Sequence, residues 1–188
     1  MPGAHNAQNA AGALAAATVL GAPMDAAARA LARFTGVARR FAFRGEAAGV
    51  TFVDDYAHLP AEVAATLAAA RRGRFERIVA VFQPHRYSRV AALAADFADA
   101  FVEADLVVIT GIYAAGEAVL PGVSAKLVGD AILGAHPGAA VAYVPQRGDL
   151  LAYLADNLRA GDCCLTMSAG DLTTLPDALL PRLRDERS

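Results

Sequence analysis

The 188-residue sequence has a single lysine, Lys126, and nowhere a glycine-rich loop ending in Gly-Lys-Ser or Gly-Lys-Thr. A P-loop that cradles nucleotide phosphates needs that loop, so these residues carry none. A Gly-x-Gly-x-x-Gly turn after a strand is missing as well, which counts against a dehydrogenase-type dinucleotide site. Cysteine is scarce: Cys163 and Cys164 are neighbours in an expected strand. Their side chains then face opposite ways, so neither a disulfide nor a metal framework follows, which suits a reducing cytoplasm. No apolar run reaches the ~18 residues of a membrane span. The first residues, Met1-Pro2-Gly3-Ala4-His5, lack the cationic start and apolar core of a secretory signal. Excess charge is lacking too: a net charge of −2 and a pI near 6.1 give no electrostatic case for nucleic acid or a membrane surface.

What is present is apolar and periodic. A hydrophobic content of 56% is ample for one domain and part of another. Two alanine-rich helices are expected over 6–20, ended by Gly21, and over 25–34, ended near Gly36. Neither has a companion strand on its N-terminal side. Left alone they would expose an apolar face, which predicts association or disorder there. Alternation over 40–44 and 50–55, with a polar turn at 45–49, predicts a hairpin. Beyond it, helices are expected from Pro60, over 125–133, 148–158 and 175–183, and strands over 78–82, 106–110, 141–144 and 163–167. Strand and helix in alternation predict right-handed crossovers and a mainly parallel sheet covered on both faces. Ligands of such a sheet bind beyond the carboxyl ends of its strands.

Polar clusters fall at those ends. The apolar run Ile78-Val79-Ala80-Val81-Phe82 stops at Gln83-Pro84-His85-Arg86-Tyr87-Ser88-Arg89. Ser88 is expected to cap a helix on which Val90, Leu93, Phe97 and Phe101 share a face. Arg86 and Arg89, on either side of that cap, would clamp a carboxylate or phosphate with the helix N–H groups assisting, or stand as a solvated surface pair. Asp54 and Asp55 face opposite ways in a strand, so one can serve a ribose hydroxyl or a metal while the other shapes the turn, or both shape it. His58 can move a proton near neutral pH or simply bond at the surface. His5, Asn6 and Asn9 at a helix start either read an adenine edge or are ordinary helix-start residues. Ser168-Ala169-Gly170-Asp171 is a ligand-facing loop or a helix cap, and Glu117 an anchor for an arginine or a solvated charge.

Taken together these motifs resemble the Mur ligase family of peptidoglycan synthesis, and within it the alanine-adding branch. The matching stretches are Gly3-Ala4-His5-Asn6-Ala7-Gln8-Asn9-Ala10, Arg39-Arg40-Phe41, Asp54-Asp55-Tyr56-Ala57-His58-Leu59-Pro60, Gln83-Pro84-His85-Arg86-Tyr87-Ser88-Arg89, Tyr113-Ala114-Ala115-Gly116-Glu117 and Ser168-Ala169-Gly170-Asp171. The resemblance implies an α/β fold. Residues 1–36 would be the helical end of a central ATP-binding domain, and 37–188 a whole C-terminal Rossmann-like domain with helices on both faces of a mainly parallel sheet. It implies ligation of L-alanine to UDP-N-acetylmuramate, with ATP and Mg²⁺ as cofactors of the intact enzyme. Neither is expected to bind tightly to this chain alone, which would be inactive by itself. His5, Asn6, Asn9, Arg40 and Asp55 would border ATP, with Asp55 on the ribose and Arg40 reaching the γ-phosphate on closure. Tyr56, His58, Arg86 and Arg89 would surround L-alanine. His58 and Arg40 are the candidate catalytic residues, and no metal ligand is expected. The alternative is a stand-alone, non-catalytic binding or interaction domain derived from such a ligase. Two residues depart from the family pattern: Leu59 stands where a second histidine is usual, and Ser168 where glycine is usual, either tightening the turn or crowding the pocket.

Overall fold

The computed structural model describes residues 4–34 and 36–185, with side chains for 6–34 and 36–184. Two helices come first, α1 (Ala4–Val19) and α2 (Met24–Ala32). Gly21, at φ 84°, ends α1: its N–H donates to Thr18 O and that of Ala22 to Ala17 O. Only glycine takes this turn without strain. No residue of α2 is buried, and Val19, Leu20, Met24 and Phe34 leave an apolar surface exposed.

A hairpin follows, β1 (Ala42–Ala47) and β2 (Val50–Asp55), then α3 (Pro60–Arg71), β3 (Arg77–Phe82), α4 (Tyr87–Leu93), β4 (Leu106–Ile109), α5 (Lys126–Ala135), β5 (Val141–Tyr143), α6 (Arg147–Asn157), β6 (Asp162–Met167) and α7 (Leu175–Asp185). The hairpin turn is narrower than expected. It is the pair Ala48-Gly49, both at positive φ, as the two-residue turn that suits twisted strands requires. Gly45 lies inside β1 at a bulge.

Among the described residues the sheet runs β1-β2-β6-β3-β4-β5, and every pairing but β1 with β2 is parallel. The chain steps from β2 past a vacant place to β3, β4 and β5, with α3, α4 and α5 all on one layer. It then reverses through α6 and inserts β6 between β2 and β3. A right-handed crossover in the reverse direction must use the other layer, and the core divides accordingly. Val63, Leu67, Val90, Phe97, Phe101, Val128 and Ile132 pack with Ile78, Ala80, Phe82 and Leu165 on one side. Leu150, Leu154, Leu175, Leu179 and Leu183 pack with Phe52, Val79, Val81 and Val108 on the other. Cys163 joins the first layer and Cys164 the second. Burial pushes the Cys163 thiol up to about 12 and Cys164 upward as well, so both are unreactive core residues.

The helix expected through Val90, Leu93, Phe97 and Phe101 is shorter. It stops at Leu93 and continues as a 3-10 turn, Ala95–Phe97. The spacing works because Phe97 and Phe101 both reach Phe82, with ring centroids 5.1 and 5.4 Å away.

Candidate functional site

Reversal at β6 draws the carboxyl ends of β2, β6, β3 and β4 side by side. At β2, the two aspartates face opposite layers. Buried Asp54 accepts the hydroxyls of Thr166 at 2.7 Å and Thr173 at 2.6 Å, and lies 3.5 Å from Arg39 Nε and 3.8 Å from Arg44 Nη1. Asp55 accepts the Phe41 N–H on Oδ2 and the Ala57 N–H on Oδ1, each at 2.7 Å. Burial holds its carboxyl above the ordinary value, although those two N–H groups and Arg40 pull the other way. Both aspartates therefore shape the turn, and the Thr66 side chain also hydrogen-bonds the Asp55 carboxylate.

Beyond β2 the chain runs through Tyr56 and His58 into α3. His58 Nδ1 is 3.0 Å from the Tyr56 carbonyl and 3.2 Å from Glu62 Oε2. Both neighbours only accept, so Nδ1 carries the hydrogen and the neutral ring keeps its lone pair on Nε2. Glu62 Oε2 also accepts the His58 and Leu59 N–H groups at 3.0 and 3.2 Å. Leu59 thus serves the helix start through its backbone.

At the end of β3, Gln83 is a latch. Its Oε1 accepts the Ser168 hydroxyl at 2.7 Å and the Leu172 N–H at 3.2 Å, while Nε2 donates to Asp171 at 2.7 Å. Ser168 Oγ in turn accepts the Gly170 N–H at 2.6 Å. The Ser168 side chain thus tightens the turn. The expected helix cap is corrected. Arg86 caps α4, with φ 68° and ψ 136° and its N–H on the Tyr113 carbonyl, and Ser88 lies in the first turn. Ser88 donates its N–H and its hydroxyl to Glu117 at 3.0 and 2.6 Å. One of the helix N–H groups that was to assist a bound anion, that of Ser88, is thus taken by Glu117, whose carboxyl these bonds hold below its ordinary value. Glu117 anchors Ser88 and also feels the charge of Arg86.

Tyr56, His58, Arg86 and Arg89 all lie in this patch. The Tyr56 and His58 rings meet edge-on at 5.5 Å, and His58 meets His85 at 5.8 Å. His85 carried no role in the sequence reading. It stacks on Tyr113 at 5.7 Å and 18°, and its Nδ1 is 3.2 Å from Arg89 Nη1. The four-residue spacing of His85 and Arg89 was the available clue. Burial first, then Arg89, His58 and Arg86, lower the His85 pKa.

A cleft of about 820 Å³ opens between α1, α2 and α3. Asn6, Asn9, Arg40 and Asp55 give it polar groups, and Leu31, Phe34 and Phe41 give it apolar walls. The His5 side chain lies outside the described residues. Arg40 stands between Arg39 and Phe41, which have φ of 60° and 48°, and its guanidinium is 5.6 Å from the Tyr56 ring centre. Among the described residues no group of three or more His, Cys, Asp or Glu could hold a metal ion. No helix among them is long and apolar enough to cross a membrane.

The profile described as "Mur ligase, glutamate ligase domain" matches residues 39–170. A protein of Desulforamulus reducens called UDP-N-acetylmuramate–L-alanine ligase is 48% identical over 99% of this chain, and one of the same name from Myxococcus xanthus is 46% identical over 98%. The chain covers only 40% and 39% of those proteins' lengths. Among solved structures, the UDP-N-acetylmuramate-alanine ligase of Thermotoga maritima superposes with a TM-score of 0.77 at 28% identity, over all of this chain and 39% of its own. A murein peptide ligase of Psychrobacter arcticus gives 0.76 at 25% identity, over 98% of this chain and 38% of its own. The profile spans the β-hairpin and the arginine-bearing loop of the site and covers well over half of the chain, so the chain belongs to the Mur ligase family.

Proposed function

We propose that this chain supplies the amino-acid-presenting part, and one wall of the nucleotide site, of a cytoplasmic ligase that joins L-alanine to UDP-N-acetylmuramate using ATP. On this reading residues 1–36 close a nucleotide-binding domain and residues 37–188 present the amino acid. The observation that carries the reading is the pairing of Arg86 and Arg89 with two imidazoles at the carboxyl ends of β2 and β3, in a chain 48% identical to a protein named for that reaction. Arg86 and Arg89 both act electrostatically on His85, and two guanidiniums around one point suit a carboxylate.

In the reaction, the muramate carboxylate takes the γ-phosphoryl group, the alanine amine attacks the acyl phosphate, and phosphate leaves. Arg86 and Arg89 hold the alanine carboxylate and so aim its amine. His58 Nε2 takes a proton from the attacking amine, and Glu62 beside Nδ1 orients the ring, which is general-base chemistry with an orienting carboxylate. The cleft holding Asn6, Asn9 and Asp55 has the size, apolar walls and polar rim for a nucleotide base and ribose. Arg40, held between two residues at positive φ, sits on a connector whose rotation would bring its charge to a phosphate. Mg²⁺ bound in the whole enzyme would offset phosphate charge.

L-Alanine titrated into the ¹⁵N-labelled chain tests the reading. Saturable shifts confined to residues 56–58, 85–89 and 113–117 are expected, and they should be absent in Arg86→Ala. A response that stays linear at every concentration, or one unaffected by Arg86→Ala, would sink it.

A further inference from the structure

We propose that His85 is a positioning residue for the carboxylate clamp: a neutral ring with its hydrogen on Nε2, it accepts a bond from Arg89 on Nδ1 and holds that guanidinium toward the alanine site. The proposal rests on the reading of Arg86 and Arg89 given above. Arginine has five donors and no acceptor, so at 3.2 Å from Arg89 Nη1 the His85 Nδ1 must present a lone pair. A long side chain that binds a carboxylate loses rotamer freedom, and a bond already in place removes part of that cost beforehand.

His85 is itself fixed from three directions. Its ring stacks on Tyr113 and meets His58 edge-on. The backbone on either side of it is tied to Tyr113, which accepts the Arg86 N–H at 2.8 Å and donates to Pro84 O at 2.9 Å. Tyr113 is confined in turn by Gly170, where a Cβ would lie 2.5 Å from Tyr113 Cγ.

The groups facing His85 are Arg86 at the cap of α4, Arg89 within it, His58 from the loop after β2, and Glu117 and Tyr113 from the loop after β4. Burial disfavours the charged ring most, and the cationic or protonatable groups around it outnumber the one carboxylate, so the ring stays neutral below the pH where a free histidine would charge. Were it protonated, Nδ1 would become a donor facing a donor and Arg89 would be released.

The test is an L-alanine titration of the 188-residue chain, wild type against His85→Phe and His85→Asn. Phenylalanine keeps the stack on Tyr113 and removes the acceptor, and its affinity should fall about tenfold. Asparagine places an amide oxygen near the Nδ1 position and should recover affinity to within about threefold of wild type. Wild-type affinity should also fall as the pH is lowered from about 8 to about 5, with a flatter profile in His85→Phe. The imidazole ¹⁵N signals of the free chain should show Nε2 protonated and Nδ1 not. Equal binding by wild type and His85→Phe, equal weakness of His85→Phe and His85→Asn, or a protonated Nδ1 in the neutral ring overturns the proposal and leaves the functional reading standing. No saturable alanine binding by wild type overturns the functional reading, and the proposal with it.

Discussion

The buried Ser168 hydroxyl donates to Gln83 Oε1 at 2.7 Å and accepts the Gly170 N–H at 2.6 Å, tying the ends of β6 and β3 together. Ser168→Ala leaves the Gly170 N–H without a partner in a buried turn, and Gln83 Oε1 with only the Leu172 N–H. An unsatisfied buried group costs about 1–3 kcal/mol. The urea midpoint should fall accordingly at unchanged m-value. An unmoved midpoint would mean that water replaces the hydroxyl.

Gly170 is required for space. Its φ of −107° is open to any residue, but a Cβ would lie 2.5 Å from Tyr113 Cγ and 2.6 Å from Gln83 Oε1. Gly170→Ala should therefore destabilise the fold by about 1–3 kcal/mol through overpacking. Adding Tyr113→Ala removes one of the two clashes, so the double mutant should cost less than the sum of the singles in denaturant titrations. Strict additivity would place the strain elsewhere.

Most of the elements were legible because hydrophobic period is local: runs such as Ile78-Val79-Ala80-Val81-Phe82 and the 60–71 helix carry their own signal. What was not legible is set by tertiary contact. Ser88 is a good cap by residue type, but pairing of Arg86 and Pro84 with Tyr113 starts the helix earlier and leaves Ser88 to Glu117. Ala48 gives no sequence hint of positive φ, so the hairpin turn could not be narrowed. Insertion of β6 between β2 and β3 depends on the whole sheet. At the site, the spacing of polar clusters was visible, whereas the Gln83 latch and the His85 contact join residues whose partners no local pattern names.

Two carboxyls should titrate on opposite sides of their ordinary values. Burial raises Asp55 above 3.8, and the Ser88 bonds hold Glu117 below 4.5. Carboxyl ¹³C shifts read both. By linkage, the Asp55 contribution to stability is full below 3.8 and is lost as pH rises through its native pKa. The Glu117 contribution is present above 4.5 and is lost as pH falls through its native pKa. Ser88→Ala should move the Glu117 midpoint back up and leave Asp55 alone. Movement of both would show that the two loops are coupled.

Arg86 combines a charge with a backbone conformation that only glycine adopts freely, φ 68° and ψ 136°. Such strain costs about 1–3 kcal/mol and persists where the surrounding structure imposes it, here through the Arg86 N–H on the Tyr113 carbonyl at 2.8 Å. Arg86→Gly relieves the strain but makes the unfolded chain more flexible, which returns about 0.5–1 kcal/mol. The net expectation is a fold more stable by up to about 1–2 kcal/mol, with alanine binding weakened about tenfold or more through loss of a charge-assisted bond. Arg86→Ala separates the two effects, because it keeps the strain and loses the guanidinium: it should match glycine in affinity and fall below it in stability. Stability equal to that of Arg86→Ala in the glycine variant would remove the strain from the account. Alanine affinity equal to wild type would remove Arg86 from the clamp and, with it, the two-arginine reading of the site.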